Sequence, residues 1–227
     1  MVWIGLDDTD NAESRGTGSL ARRIANDLAA DIAVLGVTRH QLLEDPRVPC
    51  TKRNSCAAIH LDSDEVDERA LVLRVREIMA SDYQPGSDPG LCVAREVPHP
   101  IIAFGRFTQV QLVTQQCARD LAAGHGIQLL GLGGDEDGVI GALAAVGLAA
   151  QGDDGRYVQV GTIRELVGLQ PVPALIAAGV SAVQTLDGSP VNQGLVLADK
   201  LRPARRDGVP IAVVQWEADH WLPLKLN

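Results

Sequence analysis

Val2–Leu6 is an apolar run that stops abruptly in acids at Asp7, Asp8 and Asp10. Its length predicts a short buried strand. A polar, glycine-containing loop, 11–18, follows. Leu20, Ile24 and Leu28 then recur at helical spacing, which puts them on one face of a helix over Ser19–Ala30. Ile32–Thr38 is the next apolar run and reads as a strand, so the chain opens as a strand, loop, helix, strand unit. The stretch 39–55, with Pro46 and Pro49, reads as loop and Cys56–Leu61 as strand. The acids of Asp62–Asp67 can cap a helix whose inner face carries Leu71, Val75 and Ile78.

Pro85, Gly86, Pro89 and Gly90 mark a loop, and Leu91–Glu96 a strand. A helix is predicted over Val110–Ala123, stopped by Gly124. Gln128–Leu132 is a strand running into Gly133–Gly138, and Val139–Ala149 is a helix apolar on every side. Past Gly152 the texture changes. Short β-like runs at Tyr157–Val160, Val180–Leu186, Gly194–Ala198 and Ile211–Trp216 are separated by turns such as Asp187-Gly188 and Asp207-Gly208, with one helix at Ile163–Leu169. The pattern predicts an α/β fold with a mixed sheet, α+β being the alternative. It divides into a nucleotide- and metal-binding domain over 1–151 and a small β-rich subdomain over 152–227.

Composition narrows the function. No stretch of about 18 apolar residues occurs, which argues against a membrane span. The start runs straight into Val2 with neither a basic segment nor an apolar leader, so a cytoplasmic protein is expected. Net charge is −9 and aromatics are 3% of 227 residues, a poor endowment for gripping a phosphate backbone or stacking bases. On that ground tRNA is not expected as a partner; a nucleotide and a small-molecule acceptor are. Cys50, Cys56, Cys92 and Cys117 form no CxxC pair and read as free, buried thiols. The weakly charged C-terminal strands leave homo-oligomerisation as an open expectation.

Five segments carry candidate chemistry. Asp7, Asp8 and Asp10 offer the hard oxygen ligands that magnesium takes, and three acids so close repel one another unless a cation intervenes. Alternation on a strand sends Asp7 and Asp8 to opposite faces and puts Asp8 with Asp10; a turn whose acids cap the next loop is the alternative. Arg15, Gly16, Thr17, Gly18 and Ser19 precede a helix, where converging amides and hydroxyls suit phosphate oxygens, although Ser19 alone could be a helix cap. The loop does not match the GxxxxGK[ST] pattern. Gly133, Gly134 and Gly138 repeat the logic beside Asp135, Glu136 and Asp137, a structural tight turn being equally consistent. Lys52, Arg53 and Asn54 supply adjacent basic groups in an acidic chain, which could offset a triphosphate or sit solvated on the surface. His40 reads as a packing residue or an acid–base group, and Arg202–Arg206 as an anion patch or an exposed turn.

Ile4-Gly5-Leu6-Asp7-Asp8-Thr9-Asp10 with Arg15-Gly16 resembles the opening of the archaeal 2-agmatinylcytidine synthetases of isoleucine tRNA, whose kinase-like domain begins with a GIDDTD signature. Val48–Asn54 is similar to that family's proline, basic and asparagine segment, and Gly138–Gly147 to its late LIGALAAIG segment. The motifs occur in the family's order over 1–150. The resemblance implies ATP and Mg2+ as cofactors and phosphoryl transfer organised by the acidic cluster. The departures are Thr17-Gly18-Ser19 in place of a threonine-rich segment, acids where the family has an arginine near Gly138, and no cysteine pairs for a zinc ribbon. They point to a compact, stand-alone relative. The reading preferred is an ATP- and Mg-dependent phosphotransferase- or ligase-like enzyme, with Asp8, Lys52 and Arg53 catalytic, Asp7, Asp8 and Asp10 on the metal, and a small acceptor. The alternatives are a non-catalytic nucleotide- or metabolite-binding protein and a tRNA cytidine-modifying enzyme.

Overall fold

The computed structural model describes residues 1–63 and 65–226. Asp64, within the predicted acidic stretch, and Asn227 lie outside the described residues. Strands β1 (Val2–Asp7), β2 (Ala33–Gln41), β3 (Ser55–Asp62), β4 (Gly90–Ala94) and β5 (Gln128–Gly131) form an antiparallel sheet in the order β5-β4-β1-β3-β2. Helices α1 (Thr17–Leu28) and α2 (Glu68–Ala80) pack on one face; α3 (His99–Phe107), α4 (Gln115–Gly124) and α5 (Gly138–Gln151) pack on the other. The first unit is therefore a split βαβ, because β3 inserts between β1 and β2 and pairs antiparallel with both.

Alternation along the strands sets the spacing of the layers. Ile4, Leu6, Ile59, Leu61, Leu91 and Val93 face α1 and α2, a side of large aliphatic residues. Cys56, Ala58, Cys92 and Ala94 face α5, a side of small ones. With so little volume between them, α5 lies directly on the sheet. A Cβ on Gly5 would stand 2.0 Å from the Ala142 carbonyl oxygen, and one on Gly147 2.2 Å from that of Ile101 on α3. Sandwiched between sheet and helices, α5 is buried from Gly138 to Ala149 except at Ile140. Its all-round apolar sequence follows from that position.

Several predicted boundaries differ. One helix was expected over Val110–Ala123; α4 begins only at Gln115, capped by the Thr114 hydroxyl, and α3 precedes it. The predicted helix at Ile163–Leu169 is a single 3-10 turn, Ile163–Glu165, and the short helix nearby is α6 (Val172–Ala177). Cys56 and Cys92 are buried as expected, whereas Cys50 and Cys117 are exposed.

β6 (Arg156–Gln159) joins the free edge of β2 and continues the sheet through β10 (Ala204–Arg206), β11 (Val209–Glu217), β12 (His220–Pro223), β9 (Leu195–Leu197) and β7 (Leu169–Pro171). β8 (Ala182–Gln184) pairs parallel with β11 and β9 parallel with β12, so the whole sheet is mixed. These strands enclose their own core around Val172, Leu175, Val183, Val196 and Val214. Arg205 fastens them to α5: its buried guanidinium donates to the Ala149 carbonyl at 3.2 Å and to the Tyr157 hydroxyl. Cationic donors suit the carbonyls at a helix C-terminus.

His40 belongs to the second joint, not to the acidic cluster. Its Nδ1 meets Asp154 Oδ1 at 2.7 Å, and the Thr38 hydroxyl bridges His40 and His60, at 2.8 Å from each Nε2. Burial pushes the Asp154 carboxyl up, but hydrogen bonds from His40 and Gln109 outweigh that and hold it below its usual value. A depressed acid contributes stability that is present above its unfolded value near pH 4 and lost as the pH falls. Asp154→Ala leaves Nδ1 of the buried His40 ring without its partner and takes from Gln109 one of its two acceptors, the other being the Gln41 carbonyl, at an expected cost of about 2–4 kcal/mol. Urea unfolding checks it, and Asp154→Asn, which keeps an acceptor oxygen, should lose less.

Candidate functional site: a carboxylate-rimmed cleft

A cleft of about 1040 Å3 opens at the carboxyl end of β1. Asp7 reaches it from the last position of β1, Asp8 and Asp10 from the turn that follows, Asp88 from the loop before β4, and Asp137 from the turn before α5. Arg39, Arg47, Lys52 and Arg53 also line it, as do the apolar Leu112, Val113 and Ile140.

β1 ends because Asp8 turns into the left-handed region, at φ 47. Aspartate tolerates this better than most residues. The turn also breaks the alternation that the sequence suggested, so Asp8 and Asp10 do not share a side by extended geometry. Asp10 points back to α1, where its Oδ1 accepts from the Thr17 amide at 3.0 Å and the Thr17 hydroxyl at 2.9 Å. Gly16 is the residue before the helix and has no side chain to cap it, so Asp10 does so from a distance. The predicted cap, Ser19, lies inside the helix. Thr17 is 6% exposed, and its hydroxyl also accepts from the Thr9 hydroxyl at 3.1 Å.

Asp7 and Asp8 are electrostatically loaded. Burial raises the Asp7 carboxyl well above its usual value, and Asp8 and Asp10 raise it further. Burial and then Asp88 push Asp8 up to about 6. Asp7 rests against Gly141 of α5, where a Cβ would stand 1.8 Å from Asp7 Oδ2. Gly141 is thus the gap that admits the carboxylate. Among the described residues, no three His, Cys, Asp or Glu side chains stand close enough together to hold a cation by themselves. Magnesium asks for less, one or two carboxylates with phosphate and water completing its shell, and the all-oxygen set here fits that demand.

Of the sequence-predicted residues, Asp7, Asp8, Asp10, Gly16, Thr17, Gly18, Lys52, Arg53, Asn54 and Gly138 border the cleft. Arg15, Ser19, Gly133 and Gly134 do not. Gly134, at φ 60, wraps the loop round Asp88, whose Oδ1 accepts from the Asp135 amide at 2.7 Å. Gly138 donates its amide to the Asp88 carbonyl at 2.9 Å. This glycine loop therefore supports the acidic rim, in keeping with the tight turn that the sequence left open beside a phosphate cradle. Asn54 holds the overhanging 42–54 loop, donating to the Leu43 carbonyl at 2.8 Å. Arg53 pairs with Glu44 at 3.4 Å and Arg47 with Asp45 at 2.7 Å, both on the open rim. Sequence reasoning missed Asp88, Arg47 and the 111–116 wall. Asp88 follows a Pro-Gly turn and precedes Pro89-Gly90, with no signal of its own.

A three-layer α/β fold built on an antiparallel sheet, with acids gathered at one strand end, is the class that fold and site define. Neither a protein-family model nor a curated protein matches the chain. Solved structures do. The chain resembles part of TiaS: it is similar to the structure of TiaS in complex with tRNA and ATP at 25% identity and TM-score 0.56, over 64% of this chain and 36% of that one. A tRNA fluorescent labeling enzyme matches at 25% identity and TM-score 0.57, over 64% and 35%. Apo TiaS, a tRNA agmatidine synthetase, shares the fold at 24% identity and TM-score 0.56. The chain spans about a third of the length of these enzymes. Both matches at 25% identity are proteins of tRNA, which overturns the exclusion of tRNA drawn from net charge. Net charge is a sum and carries no information about where the arginines lie. No helix among the described residues is long and apolar enough to cross a membrane.

Proposed function

We propose that this chain is an ATP-dependent, phosphoryl-transferring enzyme whose acceptor is a nucleotide of an RNA. The observation that carries the reading is the mixed lining of one cleft: carboxylates Asp7, Asp8 and Asp88 together with the cations Arg39, Lys52 and Arg53. Similarity to a TiaS structure holding ATP and tRNA supports the same pairing of ligands. Asp7 and Asp8 are the carboxylates that would hold a magnesium ion on the phosphates; a bound ion supplies charge neutralisation at the oxygens of the transferred group. Lys52 and Arg53, which line the same cleft, stabilise negative charge developing on the phosphoryl group. The Thr17 hydroxyl, hydrogen-bonded to the Asp10 carboxylate, has the base it needs to give up a proton. The apolar wall of Leu112, Val113 and Ile140 offers a surface for an acceptor base.

Calorimetric titration with ATP, with and without Mg2+, tests the nucleotide half of the proposal. Magnesium-dependent binding is the expected result. Transfer of the γ-phosphoryl group from ATP to tRNA, read as radiolabel on the RNA with ADP as the co-product, tests the acceptor half. Thr17→Val should cut that transfer by roughly a hundredfold while Thr17→Ser retains much of it. ATP binding with no turnover on any RNA would leave a binding protein, and no ATP binding would sink the reading.

A further inference from the structure

We propose that Arg39, Arg156, Arg202, Arg164 and Arg22 form a track for the phosphate backbone of an RNA strand, leading out of the cleft across the joint between β2 and β6. The proposal rests on the RNA acceptor argued above and gives it a surface.

The track starts inside the cleft. Arg39, on β2, lines it, and the residue in register with Arg39 on β6 is Arg156. Next to Arg156 in the sheet is Ala204 of β10, and half-buried Arg202 lies just before that strand. Arg164, exposed on the 3-10 turn, donates to the Val158 carbonyl of β6 at 3.1 Å. Arg22, on α1, donates to the Gly18 carbonyl at 3.2 Å, which returns the track to a residue of the cleft. A contact between α1 and β6, Gln159 to Asn26 at 2.8 Å, holds the two segments together.

Four of the track arginines differ in pairing from several others in the chain. Arg23, Arg47, Arg53, Arg74, Arg95 and Arg119 each face a carboxylate. Arg22, Arg39, Arg164 and Arg202 make no ion pair among the described residues; their polar contacts are neutral oxygens of Gly18, Gln41, Val158 and Leu201. In a chain with 29 acids against 20 basic residues, acids are not scarce, yet these cations face one another. Burial lowers the Arg202 pKa, and Arg164, Arg22 and Arg156 lower it further. Arg22 is lowered by burial and then by Arg164 and Arg15. A row of arginines continuous with a nucleotide-sized cleft matches a polyphosphate chain better than a single phosphate, and guanidinium forks suit its oxygens.

Fluorescence anisotropy with a labelled RNA stem-loop, over a range of salt, tests the track. The triple variant Arg22→Gln, Arg164→Gln, Arg202→Gln should bind about tenfold more weakly at low salt, with a salt slope shallower by roughly 2. Arg76→Gln, on the exposed side of α2, should bind as wild type. The three lysine replacements should largely restore binding, since the charges remain. Thermal melting of each variant shows that it is folded, and ATP titration should give wild-type affinity. Triple-variant binding equal to wild type would overturn the track and leave the RNA acceptor standing. Failure of the wild type to bind RNA, with ATP binding intact, would overturn the track and the acceptor together. RNA binding by the track with no ATP binding would keep the track and remove only the nucleotide site. Polyglutamate bound as tightly as the RNA would overturn the assignment to a phosphate backbone.

Discussion

Asp8→Asn should lower turnover by about a hundredfold or more and, at the same time, make the ligand-free protein more stable. The loss follows from removing a charge that the reaction uses, an effect worth roughly two to three orders of magnitude for comparable groups. The gain follows from proton linkage. Burial and the neighbouring Asp88 push Asp8 up to about 6, against about 3.9 in the unfolded chain. A carboxyl raised on folding destabilises the folded state once it ionises. The penalty is absent below the unfolded value, grows between about pH 4 and pH 6, and is complete above that. Two units correspond to about 3 kcal/mol, which partial exposure to solvent reduces to about 1–2 kcal/mol. In a chain of this size that is roughly 2–4 °C of Tm for each kcal/mol. Melting at pH 8 and pH 4.5 checks it: the variant's advantage should be clear at the higher pH and shrink at the lower. Added Mg2+ should raise the wild-type Tm more than the variant's. A variant less stable than wild type at pH 8 without metal would refute the account of strain at the site.

Gly5→Ala is the substitution expected to damage the fold most. Its Cβ would stand 2.0 Å from the Ala142 carbonyl oxygen and 3.1 Å from a Val146 methyl. The obstacle is helix backbone, so relief requires β1 and α5 to separate along a central strand of the sheet. Overpacking of this kind costs about 1–3 kcal/mol where side chains give way, and more where backbone must. An expected loss of about 3 kcal/mol or more is readable as the urea midpoint or as the soluble yield. Gly124→Ala, at the end of α4 with nothing within 4 Å, is the matched control and should be neutral. Gly141→Ala differs from both. Its Cβ would stand 1.8 Å from Asp7 Oδ2 and 2.9 Å from Asp7 Cβ, closer than rotation of the carboxylate alone can relieve, so activity and stability should fall together.

These two substitutions also mark what could be read from the chain before its structure. Gly5 and Asp8 stand in one short motif, the segment that resembles the synthetase opening. The motif flags both; why each matters comes from contacts with α5 and Asp88, on segments distant along the chain. The arginine track was less legible still. Arg202 opens a short basic run, but Arg156 and Arg164 carry no local signal, because their neighbours in space come from separate elements.

By itself the sequence determined the local elements and the acidic centre. Apolar periodicity located β1, α1, β3 and α2 to within a few residues, and an all-apolar run announced the buried α5. Burial of a face imposes its period directly on the residues that form it, so such elements are written locally. It placed Asp7, Asp8 and Asp10 together because they are near neighbours in the chain. Only the tertiary structure decided that β3 separates β1 from β2, that Asp88 and Asp137 join the acidic rim, and that Gly133 and Gly134 serve Asp88. It alone separated the acids of a chain of net charge −9 from a row of arginines. Strand order and charge segregation are properties of residues distant in sequence, and no local pattern records which of them will meet.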